Sequence, residues 1–178
     1  MSNRSVVLYI SMSLDGYIAT KDHDLSWLAK VDREGEDYGY FAFTENVDTY
    51  IVGSKTYEVV LQMTGGAFPK SEQYDCYVVT RQQREPVPGI TFYHGDLAEL
   101  IQSLKKQKGK QIYCDGGAQI VKMLMADNLI DEYIVSVIPT ILGDGIRLFP
   151  EGLNPIDIEL VSSKPFESGL VQLHYKRN

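Results

Sequence analysis

The hydrophobic and polar positions in the second half of the chain predict a strand, a helix and another strand in succession. Residues 112–114 form a short apolar, β-prone run, and residues 132–138 form a longer β-branched one. The intervening residues 118–127 carry apolar side chains at the i, i+3, i+4 spacing of a helix, namely Val121, Leu124 and Met125. This strand–helix–strand order is typical of parallel strands joined by a helical crossover.

Similar patterns along the rest of the chain predict an α/β protein. A helix is expected at residues 97–106, where Asp96 is a suitable N-cap and Glu99 its capping partner. The chain has no internal repeat, low-complexity segment or linker, so we expect one domain spanning residues 1–178. Further strands are predicted at residues 5–10, 48–53, 76–80, 90–93, 156–162 and 170–176, and a further helix at residues 57–61.

Composition and charge narrow the classes of function. A net charge of −7, with acidic residues spread along the chain, argues against binding to nucleic acids or anionic membranes. No apolar run approaches the roughly 20 residues of a transmembrane helix, and the N-terminus lacks a signal-peptide pattern, so we expect a cytoplasmic protein. Cys76 and Cys114 stand apart from each other, with only three histidines in the chain, and predict no metal site.

Three predicted strands end in polar or glycine-containing turns, which are Gly53-Ser54-Lys55-Thr56, Thr80-Arg81 and Gly116-Gly117. Parallel strands end at one edge of a sheet, so these turns are expected to meet there. Gly116-Gly117 could be only a tight turn, but bare N–H groups at a helix start also suit a diphosphate. The cations and hydroxyls of the other two turns suit a further phosphate. Because NADPH carries a 2′-phosphate and NADH does not, this second site favours NADPH over NADH. Neither GxGxxG nor the P-loop motif occurs.

These turns, with other short motifs in the same order, give the chain a family likeness. It resembles the dihydrofolate-reductase-like superfamily, and most closely the reductase domain of bacterial riboflavin biosynthesis. The resemblance covers residues 5–150 and implies a mixed, mainly parallel sheet flanked by helices, NADPH as hydride donor, a small-molecule substrate and often a homodimer. The motifs that carry it are Ser11-Met12-Ser13-Leu14-Asp15-Gly16, Val52–Glu58, Val78–Arg81, Asp115-Gly116-Gly117, Leu129–Glu132 and Ile138–Gly145.

The resemblance also implies roles for individual residues. Met12 and Trp27 match residues beside the nicotinamide, although a lone tryptophan is also a common core anchor. The turns containing Ser54, Lys55, Thr56, Thr80 and Arg81 match the side that holds the adenosine 2′-phosphate. Gly116 and Gly117, with Ala118 and Gln119 at the start of the following helix, match the diphosphate site. Asp115 matches an acidic substrate contact.

Two departures from the family pattern bear on the function. The family's Gly-Arg-Lys/Arg-Thr is Gly-Ser-Lys-Thr here, so Lys55 must replace a missing arginine. The zinc deaminase often fused to the riboflavin enzyme has HxE and PCxxC motifs, and the chain has neither. A stand-alone reductase is therefore expected, and its substrate could differ from that of the riboflavin enzyme.

Reduction by NADPH requires a proton for the heteroatom as well as a hydride. Asp32 follows Trp27 by five residues, the spacing of the catalytic acid in folate reductases, but it could equally be one member of a solvated acidic run. Asp115 could be a turn-former or a substrate ligand, and Asp15 is expected to be structural.

Three hypotheses stay open on sequence alone: a reductase of a pyrimidine, pterin or related heterocycle, including 5-amino-6-(5-phosphoribosylamino)uracil of riboflavin synthesis; a folate reductase proper; and a non-catalytic NADPH-binding module. In a homodimer, the long apolar run at residues 133–142 would be partly buried against the partner.

Overall fold

A computed structural model describes residues 4–178. Its main feature is an eight-stranded sheet in the order β5-β4-β3-β6-β1-β7-β10-β9, beside a two-stranded sheet of β2 and β8. The strands are β1 (Val6–Ser13), β2 (Tyr17–Ala19), β3 (Val47–Gly53), β4 (Asp75–Val79), β5 (Ile90–Tyr93), β6 (Gln111–Cys114), β7 (Glu132–Ile138), β8 (Ile146–Arg147), β9 (Ile158–Pro165) and β10 (Val171–Arg177). The helices are α1 (Tyr40–Thr44), α2 (Ser54–Met63), α3 (Leu97–Lys106) and α4 (Ala118–Ala126), with 3-10 turns at Ser26–Val31 and Pro69–Glu72.

The sheet is mixed and mainly parallel, as expected. All neighbouring strands from β5 to β7 pair in parallel, and only β10 and β9 add antiparallel pairs at one side. Strand β1 lies between β6 and β7, which explains why nearly every position in its first half is buried. The α/β class with a mixed, mainly parallel sheet is thus confirmed.

Alternation along the strands divides the core between the two faces of the sheet. On β3, Ile51 faces the side covered by α3 and α4, whereas Tyr50 and Val52 face the side covered by α2. The α3–α4 side is mainly aliphatic, and Leu124 of α4 is completely buried there. The α2 side is rich in aromatic rings, among them Phe43, Tyr57 and Tyr113. The cleft described below opens at the strand ends, and its lining includes residues from both sides of the sheet.

The acidic run at residues 32–37 follows the 3-10 turn and leads into α1. Its last member, Asp37, accepts hydrogen bonds from the backbone N–H groups of Gly39 and Phe41 at the start of that helix. The apolar run at residues 133–142 contains β7, which is paired on both edges, whereas Ile141 further along the run is exposed.

A further group of exposed apolar side chains lies on the edge strand β9. Every residue of β9 is exposed, and its apolar members include Ile158, Leu160 and Val161. An unpaired, exposed edge strand is a ready template for pairing with another chain. Across residues 4–178, no helix has both the length and the apolar character needed to cross a membrane.

Candidate functional site

Two of the three predicted turns meet at the carboxyl edge of the sheet. Strands β4, β3 and β6 are adjacent and parallel, so their ends lie side by side. The Gly53 N–H donates to the Gly116 carbonyl at 2.8 Å, which ties the turn after β3 to the turn after β6. The peptide bond between Gly116 and Gly117 is cis.

Beside these turns lies a cleft of about 680 Å³. Its walls come from β1, the loop after β2, α1, α2, the end of β6 and the start of α4. The predicted site residues that line it are Gly53, Ser54, Lys55, Thr56, Asp115, Gly117, Ala118 and Gln119. Eight of the predicted residues, from two distant segments, thus line one cavity. The volume of this cavity is within the usual range for small-molecule sites.

The helices that begin at this cleft have free N-terminal N–H groups. Neither α2 nor α4 has a side-chain cap or an acidic residue in its first turn. By contrast, the Asp96 side chain caps α3, as predicted, by accepting from the Glu99 N–H at 3.0 Å. Uncapped N-termini leave backbone donors and the positive dipole ends available to an anion.

Gly117 allows these two helix starts to approach closely. A Cβ atom at Gly117 would lie 2.9 Å from the Thr56 hydroxyl oxygen, closer than real Cβ contacts permit. A larger residue would therefore push Thr56 and the start of α2 away from the start of α4. Because Gly117 has no side chain, its backbone is directly accessible from the cleft.

The cations of the predicted phosphate site are exposed. Lys55 lines the cleft, and neither it nor Arg81 forms an ion pair with any carboxylate in the described part of the chain. Thr80 is buried, and its hydroxyl accepts from the Gln82 N–H at 3.0 Å. Thr80 and Arg81 follow β4, next to the turn after β3, but they do not line the cleft.

At the floor of the cleft, the Asp115 carboxylate is held by two buried tyrosines. The Tyr113 hydroxyl donates to Asp115 Oδ1 at 2.8 Å, and the Tyr50 hydroxyl donates to Oδ2. Burial raises the pKa of Asp115 above its ordinary value, while these two hydrogen bonds and the charge of Lys70 act in the opposite direction. The two hydrogen bonds fix the orientation of the Asp115 carboxyl group at this end of the cleft.

Tyr9 and Tyr40 are cleft residues that the sequence patterns did not identify. Tyr40 receives a hydrogen bond from Lys70 Nζ, and burial together with the Asp115 charge raises the pKa of Tyr40 to about 12. The Tyr9 hydroxyl accepts from Gln172 Nε2 at 3.1 Å. For Tyr113 the sequence did carry a signal. Tyr113 precedes Asp115 by two positions at the end of a strand, so the two side chains are expected to face the same side.

Besides Thr80, Arg81 and Gly116, three more of the predicted residues lie outside the cleft lining, namely Met12, Trp27 and Asp32. Met12 packs against the aliphatic core, and Trp27 packs against Val31, Ile138 and Leu170. Asp32 is exposed and lines a separate acidic hollow, so the structure does not bring it together with Asp115.

Asp15 has the structural role that was expected of it. Its carboxylate accepts from the Ser13 hydroxyl at 2.6 Å and from the Leu142 and Gly143 N–H groups at 3.1 and 2.7 Å. These bonds hold the end of β1 against the turn at residues 143–145. Among residues 4–178, no cluster of three or more histidine, cysteine or acidic side chains has the arrangement of a metal site.

A mainly parallel sheet with an open cleft at its carboxyl edge, lined by uncapped helix starts, is typical of α/β proteins that bind a small ligand at the strand ends. Residues 4–172 match the model of the RibD C-terminal domain. The chain therefore belongs to the RibD C-terminal domain family, as the motifs suggested.

Individual relatives agree with this family. The chain is 42% identical to the uncharacterized protein YwjB of Bacillus subtilis, over 98% of each chain. It is 28% identical to a putative riboflavin biosynthesis protein from Shewanella sp. PV-4, with a TM-score of 0.87 over 98% of this chain and 99% of that one. Dihydrofolate reductase from Enterococcus faecalis, solved with NADP(H), shares the fold at a TM-score of 0.70 and 18% identity, over 100% and 98% of the two chains.

Proposed function

We propose that this protein is an NADPH-dependent reductase that transfers hydride to a small heterocyclic substrate of the pyrimidine or pterin type. The observation that carries the proposal is the junction of the β3 and β6 turns, where two uncapped helix starts and Lys55 face one cleft. Family membership supports it, and 5-amino-6-(5-phosphoribosylamino)uracil of riboflavin synthesis is one candidate substrate.

The residues at the junction fit a dinucleotide with several phosphates. The N–H groups at the start of α4, next to Gly117, would hold the diphosphate, because a side chain there would fill the space beside Thr56. Ser54, Lys55 and Thr56 at the start of α2 would hold a further phosphate through charge-assisted hydrogen bonds. Bound there, NADPH would supply the hydride.

The other groups in the cleft have roles on the substrate side. Asp115 is fixed by Tyr50 and Tyr113, so it can present a carboxyl group to a ring N–H without reorganisation. A proton for the reduced atom must come from a group that reaches the cleft. Asp115 and Tyr40 meet that condition, whereas the side chain of Asp32 lies in the separate hollow.

Nucleotide titration tests the cofactor part of the proposal. We expect NADPH to bind at least about 10-fold more tightly than NADH, a difference of about 1.4 kcal/mol. Lys55→Ala should narrow that difference by weakening NADPH alone. Lys108→Ala is the matched control, since Lys108 is an exposed lysine in the loop that leads into the opposite end of β6. Equal affinities for the two nucleotides in the parent protein would contradict the assignment.

NADPH oxidation then separates the kinds of function. Oxidation with pyrimidine or pterin substrates would support the proposal, and oxidation with dihydrofolate alone would identify a folate reductase. NADPH binding without oxidation of any of these substrates would indicate a binding module. Gly117→Ala, which introduces the Cβ atom beside Thr56, should weaken NADPH binding in all three cases.

A further inference from the structure

We propose that the Tyr40 hydroxyl donates the proton in this reduction and that Lys70, which lies outside the cleft lining, returns a proton to Tyr40 afterwards. The proposal deepens the proposed function and rests on it. It makes Tyr40 a catalytic residue and Lys70 a positioning residue that acts through it, and it leaves Asp115 the task of binding the substrate. The observation behind it is the hydrogen bond that Lys70 Nζ donates to the hydroxyl of Tyr40, a residue of the cleft lining.

The Tyr40 ring is fixed on the aromatic side of the sheet. It meets the Tyr9 ring edge to face with the centroids 5.6 Å apart, and it meets the Tyr113 ring in the same way at 6.5 Å. Lys70 Nζ lies 4.7 Å from the centre of the Tyr40 ring, which is within the range of a cation–π contact. These contacts hold the hydroxyl in place before a substrate binds, so no reorientation is needed for proton transfer.

The direction of the hydrogen bond leaves the Tyr40 proton for an acceptor other than Lys70. An ammonium group can only donate, so the Tyr40 oxygen is the acceptor and its own O–H points elsewhere. Burial and the Asp115 charge raise the pKa of Tyr40 to about 12, while a hydrogen bond with Tyr113 acts in the opposite direction. The hydroxyl therefore keeps its proton at neutral pH, and the Lys70 charge stabilises the phenolate that forms when the proton leaves.

Asp115, the other acid at this end of the cleft, is already committed as an acceptor. Its Oδ1 accepts from the Tyr113 hydroxyl and its Oδ2 from the Tyr50 hydroxyl. A carboxyl O–H is a donor, so Asp115 could carry a proton only if one of these hydroxyls gave up its bond or turned around. The carboxylate is therefore better suited to accept a hydrogen bond from a ring N–H of the substrate than to protonate the substrate.

The proton transfer balances with water as the only further reactant. When hydride reaches the substrate carbon, the electron pair of its C=N or C=O bond moves onto the heteroatom. That atom bonds to the Tyr40 proton as the Tyr40 O–H bond breaks, and the phenolate oxygen then takes a proton from Lys70 Nζ. Lys70 is only half-buried, so its neutral amine recovers a proton from solvent.

Several titratable groups surround Tyr40 and contribute to its ionisation. Those packed against it or close to it on the cleft side are Lys70, Asp115, Tyr9 and Tyr113. On its other side Tyr40 borders the hollow, whose charged lining residues are Asp32, Arg33, Glu34, Glu36 and Asp37. The carboxylates favour the protonated hydroxyl, whereas the Lys70 ammonium, in direct contact with it, favours the phenolate. Removal of the Lys70 charge should therefore raise the pKa of Tyr40, an effect that does not depend on turnover.

Steady-state kinetics with matched variants test the proton donor. The parent and each variant are assayed with NADPH and 5-amino-6-(5-phosphoribosylamino)uracil, or with whichever pyrimidine or pterin the parent reduces. Tyr40→Phe removes only the hydroxyl and should lower kcat at least about 10²-fold, while KM and NADPH affinity stay near those of the parent. Tyr74→Phe is the matched control and should leave kcat unchanged, because Tyr74 lies 5.8 Å from the same ammonium but does not line the cleft.

Lys70 variants show whether the lysine acts through Tyr40. Lys70→Met removes the charge and should lower kcat about 10-fold or more, whereas Lys70→Arg keeps a charged donor and should recover most of that loss. In the Tyr40→Phe background, Lys70→Met should have little further effect, because the two residues act in series. With 3-fluorotyrosine in place of Tyr40, the fluorine NMR signal reports ionisation of the hydroxyl in the protein without substrate or nucleotide. Lys70→Met should raise the midpoint of that titration by about one pH unit or more.

The outcomes separate this proposal from the proposed function. In an active parent, a Tyr40→Phe variant that retains more than about a tenth of kcat would overturn the proposal and leave the proposed function intact. A fluorine titration that Lys70→Met leaves unchanged, or losses in kcat that add in the double variant, would overturn the role of Lys70. A parent that reduces none of these heterocycles would contradict the proposed function itself, and the proposal with it.

Discussion

Replacing Asp115 with asparagine removes the charge at the floor of the cleft while keeping the size of the side chain. The carboxylate accepts one hydrogen bond on each oxygen, from Tyr113 and from Tyr50. An asparagine has one acceptor oxygen and an NH2 donor, so one of the two tyrosine hydroxyls must accept from the side chain instead of donating to it. A protonated carboxyl group imposes the same change, so we expect Asp115→Asn to alter the free energy of unfolding by less than about 1 kcal/mol at acidic pH.

The difference in stability between the parent protein and the variant should change as the pH rises. Because burial raises the pKa of Asp115 in the folded protein, the unfolded chain releases this proton first, at the ordinary aspartate pKa of about 4. The parent protein therefore loses stability between that pH and the raised pKa of the folded state, and is constant below and above this window. The asparagine variant has no such loss. The variant should consequently gain stability relative to the parent as the pH rises through this window.

Urea denaturation of both proteins at several pH values from about 4 to 8 measures this difference. Asp127→Asn is the control, because Asp127 is exposed at the end of α4 and makes no side-chain hydrogen bond or ion pair within residues 4–178. Its effect should be small and independent of pH. On the true substrate, Asp115→Asn should mainly raise KM. A stability difference that does not change with pH would refute the raised pKa, and unchanged stability and KM would refute the role of the tyrosine–aspartate cluster.

Three further predictions concern other parts of the molecule. Asp32→Asn should leave kcat within about twofold of the parent value, because this exposed side chain lies outside the cleft. A loss of kcat near the roughly 10²-fold typical of a general acid, with NADPH affinity unchanged, would instead identify Asp32 as the proton donor. Asp96→Ala should lower the free energy of unfolding by about 1 kcal/mol in urea denaturation, because α3 loses its N-cap, whereas Asp96→Asn should have little effect. We also propose a homodimer that pairs the β9 edge strands. Light scattering at micromolar concentration should give twice the mass of the chain for the parent and the mass of a single chain for Leu160→Lys. A monomeric parent would exclude the dimer.

The sequence by itself determined most of the strands and helices and the order in which they occur. The predicted bounds of β5, α3 and β7 coincide with those of the structure, because periodic apolar positions and a capping residue are local features. The meeting of the turns at Gly53–Thr56 and Gly116–Gly117 also followed from sequence. Strands joined by helical crossovers run parallel, and their ends must then lie at one edge of the sheet.

Only the tertiary structure decided which side chains accompany those turns in the cleft. Tyr40 comes from a short helix 75 positions before Asp115, and no local pattern relates the two; packing of α1 on the aromatic face of the sheet brings them together. The same packing leaves Asp32, at the end of the 3-10 turn, on the far side of Tyr40. The burial that raises the pKa of Asp115 likewise comes from residues of several elements. Desolvation depends on how many atoms surround a group, and that number is set by contacts between distant parts of the chain.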